Sequence, residues 1–196
     1  MEILDRRRLV ALLGNPGSGK TSLLKYLVLR WVFDDRRHLP LWIDLKEYGR
    51  QPMGLKKYLE SGQSSFGLDA RGIEEQLGDG TAAMYLDGLD EIFSKQIRSS
   101  VIEELAAFSA HYPKAPVIIT SRIVGYEPDR LREVGFVHAT LEDFDDSQVL
   151  AFLEKWHAAA EPEDLKERAR LQTQIRRAIS ESRPIRELAG NPLLLT

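Results

Sequence analysis

Residues 14–21 read Gly-Asn-Pro-Gly-Ser-Gly-Lys-Thr, a full match to G-x-x-x-x-G-K-[ST], the loop that cradles phosphates between a strand and a helix. The flanks suit that reading. Leu9 to Leu13 is an unbroken apolar run of the kind a buried parallel strand needs, and Ser22 to Phe33 has the pattern of a helix. Gly14, Gly17 and Gly19 let the backbone curl until successive N–H groups converge on an anion. The helix start adds free N–H groups and the positive end of its dipole. Lys20 is expected to reach the β- and γ-phosphates of a nucleotide and the Thr21 hydroxyl to ligate Mg²⁺, with Asn15, Pro16, Ser18 and Ser22 completing the nucleotide-binding set. The plainer alternative is a glycine-rich turn with a surface lysine.

Bulk properties narrow the classes. The chain has 196 residues, 43% hydrophobic and 29% charged, within the range of a single globular α/β domain with a small appendage. A net charge of −3 gives no electrostatic reason to expect nucleic acid as a partner. With no cysteine, disulfides, thiolate metal sites and thiol nucleophiles are excluded together. That composition suits a cytoplasmic location. No apolar stretch approaches the ~18 residues of a membrane span. Arg6-Arg7-Arg8 precedes an apolar run too short for a signal sequence. These arginines are expected to be a solvated approach to the first strand, or a meeting point with a neighbouring domain or subunit.

Outward from the loop, strand-like runs alternate with helical patterns, which predicts a three-layer αβα fold of the P-loop NTPase type with a parallel sheet of about five strands. After the first helix, Asp34 to His38 reads as a charged turn. Strands are expected at Leu39–Leu45, at Ala82–Leu86 ending in Asp87, at Pro116–Thr120 and at Phe136–Leu141. Helices are expected at Leu55–Ser61, Ala70–Leu77 and Lys95–Tyr112, the last with Ile97, Val101, Ile102, Leu105 and Phe108 on one face. From about Asp145 only helices follow, so residues 1–144 read as the nucleotide-binding core and 145–196 as a small helical lid. In the lid, Asp145 or Asp146 caps a helix whose apolar residues are Val149, Leu150, Phe152, Leu153 and Trp156. Pro162-Glu163-Asp164 opens a second helix running to about Ser182, and a third runs from Pro184 to Gly190. The closing Asn191-Pro192-Leu193-Leu194-Leu195-Thr196 reads as the start of an apolar helix, which suggests that the chain is part of a longer protein.

Two further segments carry chemistry. In Met84-Tyr85-Leu86-Asp87-Gly88-Leu89-Asp90-Glu91, an apolar strand delivers Asp87 where the Mg²⁺ of a P-loop enzyme needs a carboxylate. Asp90 and Glu91 follow closely enough for one of them to orient a water on the γ-phosphate. Ile118-Ile119-Thr120-Ser121-Arg122 ends a strand with a polar pair and an arginine that can pair with a γ-phosphate oxygen.

The order GNPGSGKTSLL, YLDGLDE, IITSR, NPLLL resembles the NACHT family of signalling ATPases, in the STAND group related to AAA+ proteins. The resemblance covers nearly the whole chain, and the acid two positions beyond a small residue in Asp87-Gly88-Leu89-Asp90 is its more specific mark. It implies that Asp87 binds Mg²⁺, that Asp90 activates water, that Arg122 senses the γ-phosphate, and that Pro192 approaches the adenine of ATP. It also implies self-association and attached effector and sensor domains. Only 13 residues precede Gly14, so the family's upstream base-holding segment is expected to be mostly missing, and the winged-helix part with it.

The expected function is therefore an ATP-binding, slowly hydrolysing switch of a signalling or defence protein. A GTPase is a second reading, although the chain's two asparagines, Asn15 and Asn191, are not followed by the lysine of a guanine-selective Asn-Lys-x-Asp. A nucleotide-binding scaffold without turnover is the third.

Overall fold

The computed structural model describes residues 6–33, 38–61, 69–124, 126–159 and 165–195. Most of the expected charged turn at Asp34–His38, and the Pro162-Glu163-Asp164 helix start, lie outside the described residues. The chain forms two compact units, one of Met1–Asn15 with Lys20–Thr140, the other of Pro16–Gly19 with Leu141–Thr196.

In the first unit, β1 (Leu9–Gly14), β2 (Leu39–Asp44), β3 (Ala82–Asp87), β4 (Val117–Ser121) and β5 (Val137–Leu141) form one sheet in the order β2-β3-β4-β1-β5. The β1–β4, β3–β4 and β2–β3 pairs are parallel. Alternation sends Leu9 and Ala11 to one face and Val10 and Leu12 to the other, yet all four are buried. Both faces of β1 are therefore covered, which is why it reads as an apolar run without polar interruption. Pro40 is tolerated because β2 is an edge strand.

The helices of this unit are α1 (Lys20–Phe33), α2 (Leu45–Arg50), α3 (Leu55–Glu60), α4 (Ala70–Asp79), α5 (Lys95–His111) and α6 (Pro128–Glu133). Val101, Ile102, Leu105 and Phe108 of α5 enter the core, as their spacing predicts. Two helices went unforeseen. Leu45, expected to end a strand, instead opens α2, because the Asp44 carboxylate accepts hydrogen bonds from Lys46 N and Glu47 N at 2.9 and 3.1 Å. In α6, Pro128 occupies the first turn, where its missing N–H costs nothing. The arginine run also needs correction. Arg6 and Arg7 are exposed, but Arg8 is half-buried and donates to the carbonyls of Ser109, Tyr112 and Ala115 at 3.4–3.5 Å. It ties β1 to the end of α5 and the turn after it, where a cation also complements the helix dipole.

The second unit contains α7 (Asp146–Ala159), α8 (Leu165–Glu181), α9 (Arg183–Ala189) and a 3₁₀ turn at Pro192–Leu195. Asp145 caps α7: its carboxylate accepts from Gln148 N at 2.8 Å, while the Gln148 side chain accepts from Asp145 N at 3.0 Å. Hydrogen bonds from Ser147 and Gln148 hold the Asp145 carboxyl below its usual range. Val149, Leu153, Ile179 and Ala189 form a small core. Trp156, one of the apolar residues read in this helix, is 45% exposed and stacks on Phe152. The closing apolar stretch is a 3₁₀ turn and no α-helix.

Candidate nucleotide site

The site forms where parallel strands deliver their carboxyl ends. β1 ends at Gly14, and the loop beyond it turns through Gly17 at φ 79° and Gly19 at φ 90°, a region that glycine enters without strain. A Cβ at Gly19 would meet nothing within 4 Å, so positive φ alone explains that glycine. Ser18 Oγ is buried and has no hydrogen-bond partner among the described residues.

Lys20, in the first turn of α1, folds back on its own loop, and its ammonium donates to the Gly14 and Asn15 carbonyls at 2.8 and 2.9 Å. Burial lowers the Lys20 pKa; Asp90 opposes this, Arg122 adds to it, and Asp87 opposes it. Ser22 lies exposed in the same helical turn.

The Thr21 hydroxyl donates to Asp87 Oδ2 at 2.8 Å. The other Asp87 oxygen accepts from the Thr120 hydroxyl at 2.6 Å, and Thr120 Oγ1 accepts in turn from Gly88 N at 2.8 Å. Sheet order makes this chain possible. β4 lies between β1 and β3, so its last residues stand beside the acidic strand, and Thr120 is only 1% exposed. Thr120 was quoted in the sequence as half of a polar pair. Its role as the fixed partner of Asp87 was missed, because strand order is not a local pattern.

Beyond these residues on the two strand ends, Asp90 and Arg122 engage each other twice. Arg122 N donates to Asp90 Oδ1, and Arg122 Nε pairs with Asp90 Oδ2, both at 2.9 Å. Glu91 points elsewhere and pairs with Lys46 at 3.6 Å.

A family model described as the NACHT domain matches residues 8–160. The chain belongs to the NACHT family. Among solved structures, the chain is similar to the structure of C. elegans PCH-2, with a TM-score of 0.49 at 14% identity, covering 79% of this chain and 43% of that one. It therefore spans less than half the length of that structure. No curated protein matches it.

Family and motif together make the chain a nucleotide-binding P-loop NTPase domain. The groups present fit a magnesium nucleotide: turn N–H donors, an ammonium, and a hydroxyl in hydrogen-bond contact with a carboxylate, which are the hard oxygen ligands Mg²⁺ prefers. Among the described residues, no cluster of three or more His, Cys, Asp and Glu offers an all-protein metal cage. Among the same residues no helix is long and apolar enough to cross a membrane. Pro192 opens the 3₁₀ turn, directly after Asn191, whose amide donates to the Pro16 carbonyl at 2.8 Å.

Proposed function

We propose that this NACHT domain is an ATP-binding switch with slow turnover, a core of residues 1–144 and a helical lid of 145–196. In this reading it belongs to a larger cytoplasmic signalling or defence protein, and nucleotide exchange drives its self-association. Loop residues Gly14 to Ser22 bind the phosphates, Lys20 leaves its loop carbonyls for the β- and γ-oxygens, and Thr21 with Asp87 holds Mg²⁺. A metal held there would supply positive charge that offsets the charge on the phosphate oxygens. Pro192 approaches the adenine.

The observation that carries the reading is the Asp90–Arg122 pair. The candidate water-orienting acid and the candidate phosphate sensor occupy each other. A γ-phosphate that drew the Arg122 guanidinium away would free Asp90 Oδ2 to accept a hydrogen bond from water, while the Arg122 N–H keeps Oδ1 in place, with Glu91 adjacent. The same ligand feature would thus be both detected and exposed to attack, which gives the two states the differential contacts that a switch requires.

The test is titration of the chain with Mg²⁺-ATP and with GTP as competitor, followed by phosphate release. ATP is expected to bind, Lys20→Ala to lose at least tenfold in affinity, and Asp90→Asn to abolish slow release while still binding. Equal, near-zero release from both forms would replace the hydrolysing switch by a scaffold without turnover.

A further inference from the structure

The second unit contains a contact that the phosphate-loop motif does not explain. Asn191 lies just beyond α9, 175 residues from the loop in sequence, yet its Nδ2 donates to the Pro16 carbonyl at 2.8 Å. Its Oδ1 accepts from Leu193 N at 3.0 Å. These partners fix the amide orientation, since a backbone N–H can only donate and a carbonyl can only accept. The Asn191 main chain is itself tied down, its N–H donating to the Leu188 carbonyl and its carbonyl accepting from Leu194 N. The fit is close: a Cβ on Gly17 would lie 2.5 Å from Asn191 Oδ1 and 2.9 Å from the Leu193 Cβ. Gly17 is thus required twice, for its positive φ and for the room its missing side chain leaves.

The consequence follows from peptide geometry. The Pro16 carbonyl and the Gly17 N–H belong to one planar trans peptide, so fixing the carbonyl fixes the direction of the N–H on its opposite side. We propose that Asn191 is a positioning residue for nucleotide binding: it holds the Pro16–Gly17 peptide so that the Gly17 N–H is preset for phosphate, and it passes the state of that peptide to the turn at Pro192–Leu195. This rests on the nucleotide-switch reading above and names the route by which the C-terminal turn detects an occupied loop. Coupling of this kind is reciprocal. A phosphate that fixes the Gly17 N–H steadies the Asn191 contact, and a broken contact weakens phosphate binding.

The sequence makes the test direct, because Asn15 and Asn191 are its only asparagines. Selective ¹⁵N-asparagine labelling of the whole chain gives two side-chain NH₂ pairs, and Asn191→Ala identifies which belongs to residue 191. With Mg²⁺ and a non-hydrolysable ATP analogue as the probe, the Asn191 pair is expected to shift and to exchange more slowly with solvent. Asn191→Ala is expected to raise the Kd about fivefold, the worth of one neutral hydrogen bond, and the near-isosteric Asn191→Asp to raise it more. An asparagine that merely stabilised its own turn would lower thermal stability without moving the Kd or the wild-type NH₂ signal. Intact binding with an unmoved Asn191 signal, or a Kd for Asn191→Ala within twofold of wild type, overturns this inference alone. Absence of analogue binding to the wild-type chain overturns the nucleotide reading, and this inference with it.

Discussion

Replacing Thr120 by valine tests whether the buried end of β4 holds the site together. The exchange keeps the shape and removes one hydroxyl. That hydroxyl donates to the Asp87 carboxylate at 2.6 Å and accepts from Gly88 N at 2.8 Å, at a position 1% exposed. A hydrogen bond to a charged partner is worth about 1.5–3 kcal/mol, and a buried N–H left without an acceptor costs about 1–3 kcal/mol. The extra buried methyl returns about 1 kcal/mol. The net loss is about 3 kcal/mol, a large fraction of the roughly 5–15 kcal/mol that holds a domain together. For a chain of this size it corresponds to a fall in Tm of roughly 6–12 °C.

Urea denaturation of wild type, Thr120→Val and Thr120→Ser measures this. Serine keeps the hydroxyl and loses only a methyl, about 1 kcal/mol, so it should fall between the other two with an unchanged m-value. Mg²⁺-dependent nucleotide affinity should follow the same order, because Asp87 without Thr120 is held on one oxygen only. If Thr120→Val is as stable as Thr120→Ser, the hydroxyl is not the anchor of Asp87 and the argument fails.

Three further outcomes are expected. The Tyr126 hydroxyl lies 2.6 Å from His138 Nε2, and burial, aided by Arg132, lowers the His138 pKa. A depressed pKa makes stability fully present above the unfolded value near ~6.5 and lost as pH falls below it. Denaturation midpoints from pH 8 to 5 should therefore decline in wild type and decline less in His138→Gln. The buried Tyr48 hydroxyl donates to Glu104 at 2.9 Å and accepts from Gly54 N at 3.2 Å, and burial with the Glu104 bond raises its pKa well above the ordinary phenol value. Its contribution is present below the unfolded pKa near ~10 and lost as pH rises beyond that. Tyr48→Phe should cost about 1–2 kcal/mol at pH 7 by denaturation and show a shallower alkaline loss. Arg8→Ala should cost about 1 kcal/mol by the same assay, because its bonds to the α5 end are long. Faster amide exchange near Tyr112 would mark the released helix end.

Much of this was legible in local pattern. The β1, β3 and β4 runs declared themselves because strands covered on both faces need no polar alternation, and α5 declared itself by the spacing of Val101, Ile102, Leu105 and Phe108. The short helices were harder. In α2 and α6 the signal is a cap, Asp44 with Glu47 or Pro128 with Asp129, and six residues give too little periodicity to support it. Arg8 was misread because a charge run looks solvated until a helix end is brought beside it. Thr120 and Asn191 were out of reach for a different reason: each acts on a residue 32 to 175 positions away, through strand order or tertiary closure.

The same strand order separates two kinds of bond at the site. The end of β4 reaches Asp87 through Thr120 and Asp90 through Arg122. The Thr120 bonds are shielded from water, so breaking them leaves polar groups unsatisfied and they persist through a ligand cycle. The Arg122 side chain is 52% exposed, so its ion pair is screened and worth at most about 1 kcal/mol. A multiply charged phosphate can compete for that guanidinium at little cost. Burial thus decides which contact is scaffold and which is exchangeable. An Arg122→Lys variant, which keeps the charge but loses the Nε donor, should therefore leave denaturant stability almost unchanged while weakening discrimination between ATP and ADP in competition binding. A large stability loss in that variant would place Arg122 in the scaffold and leave Asp90 without a release mechanism.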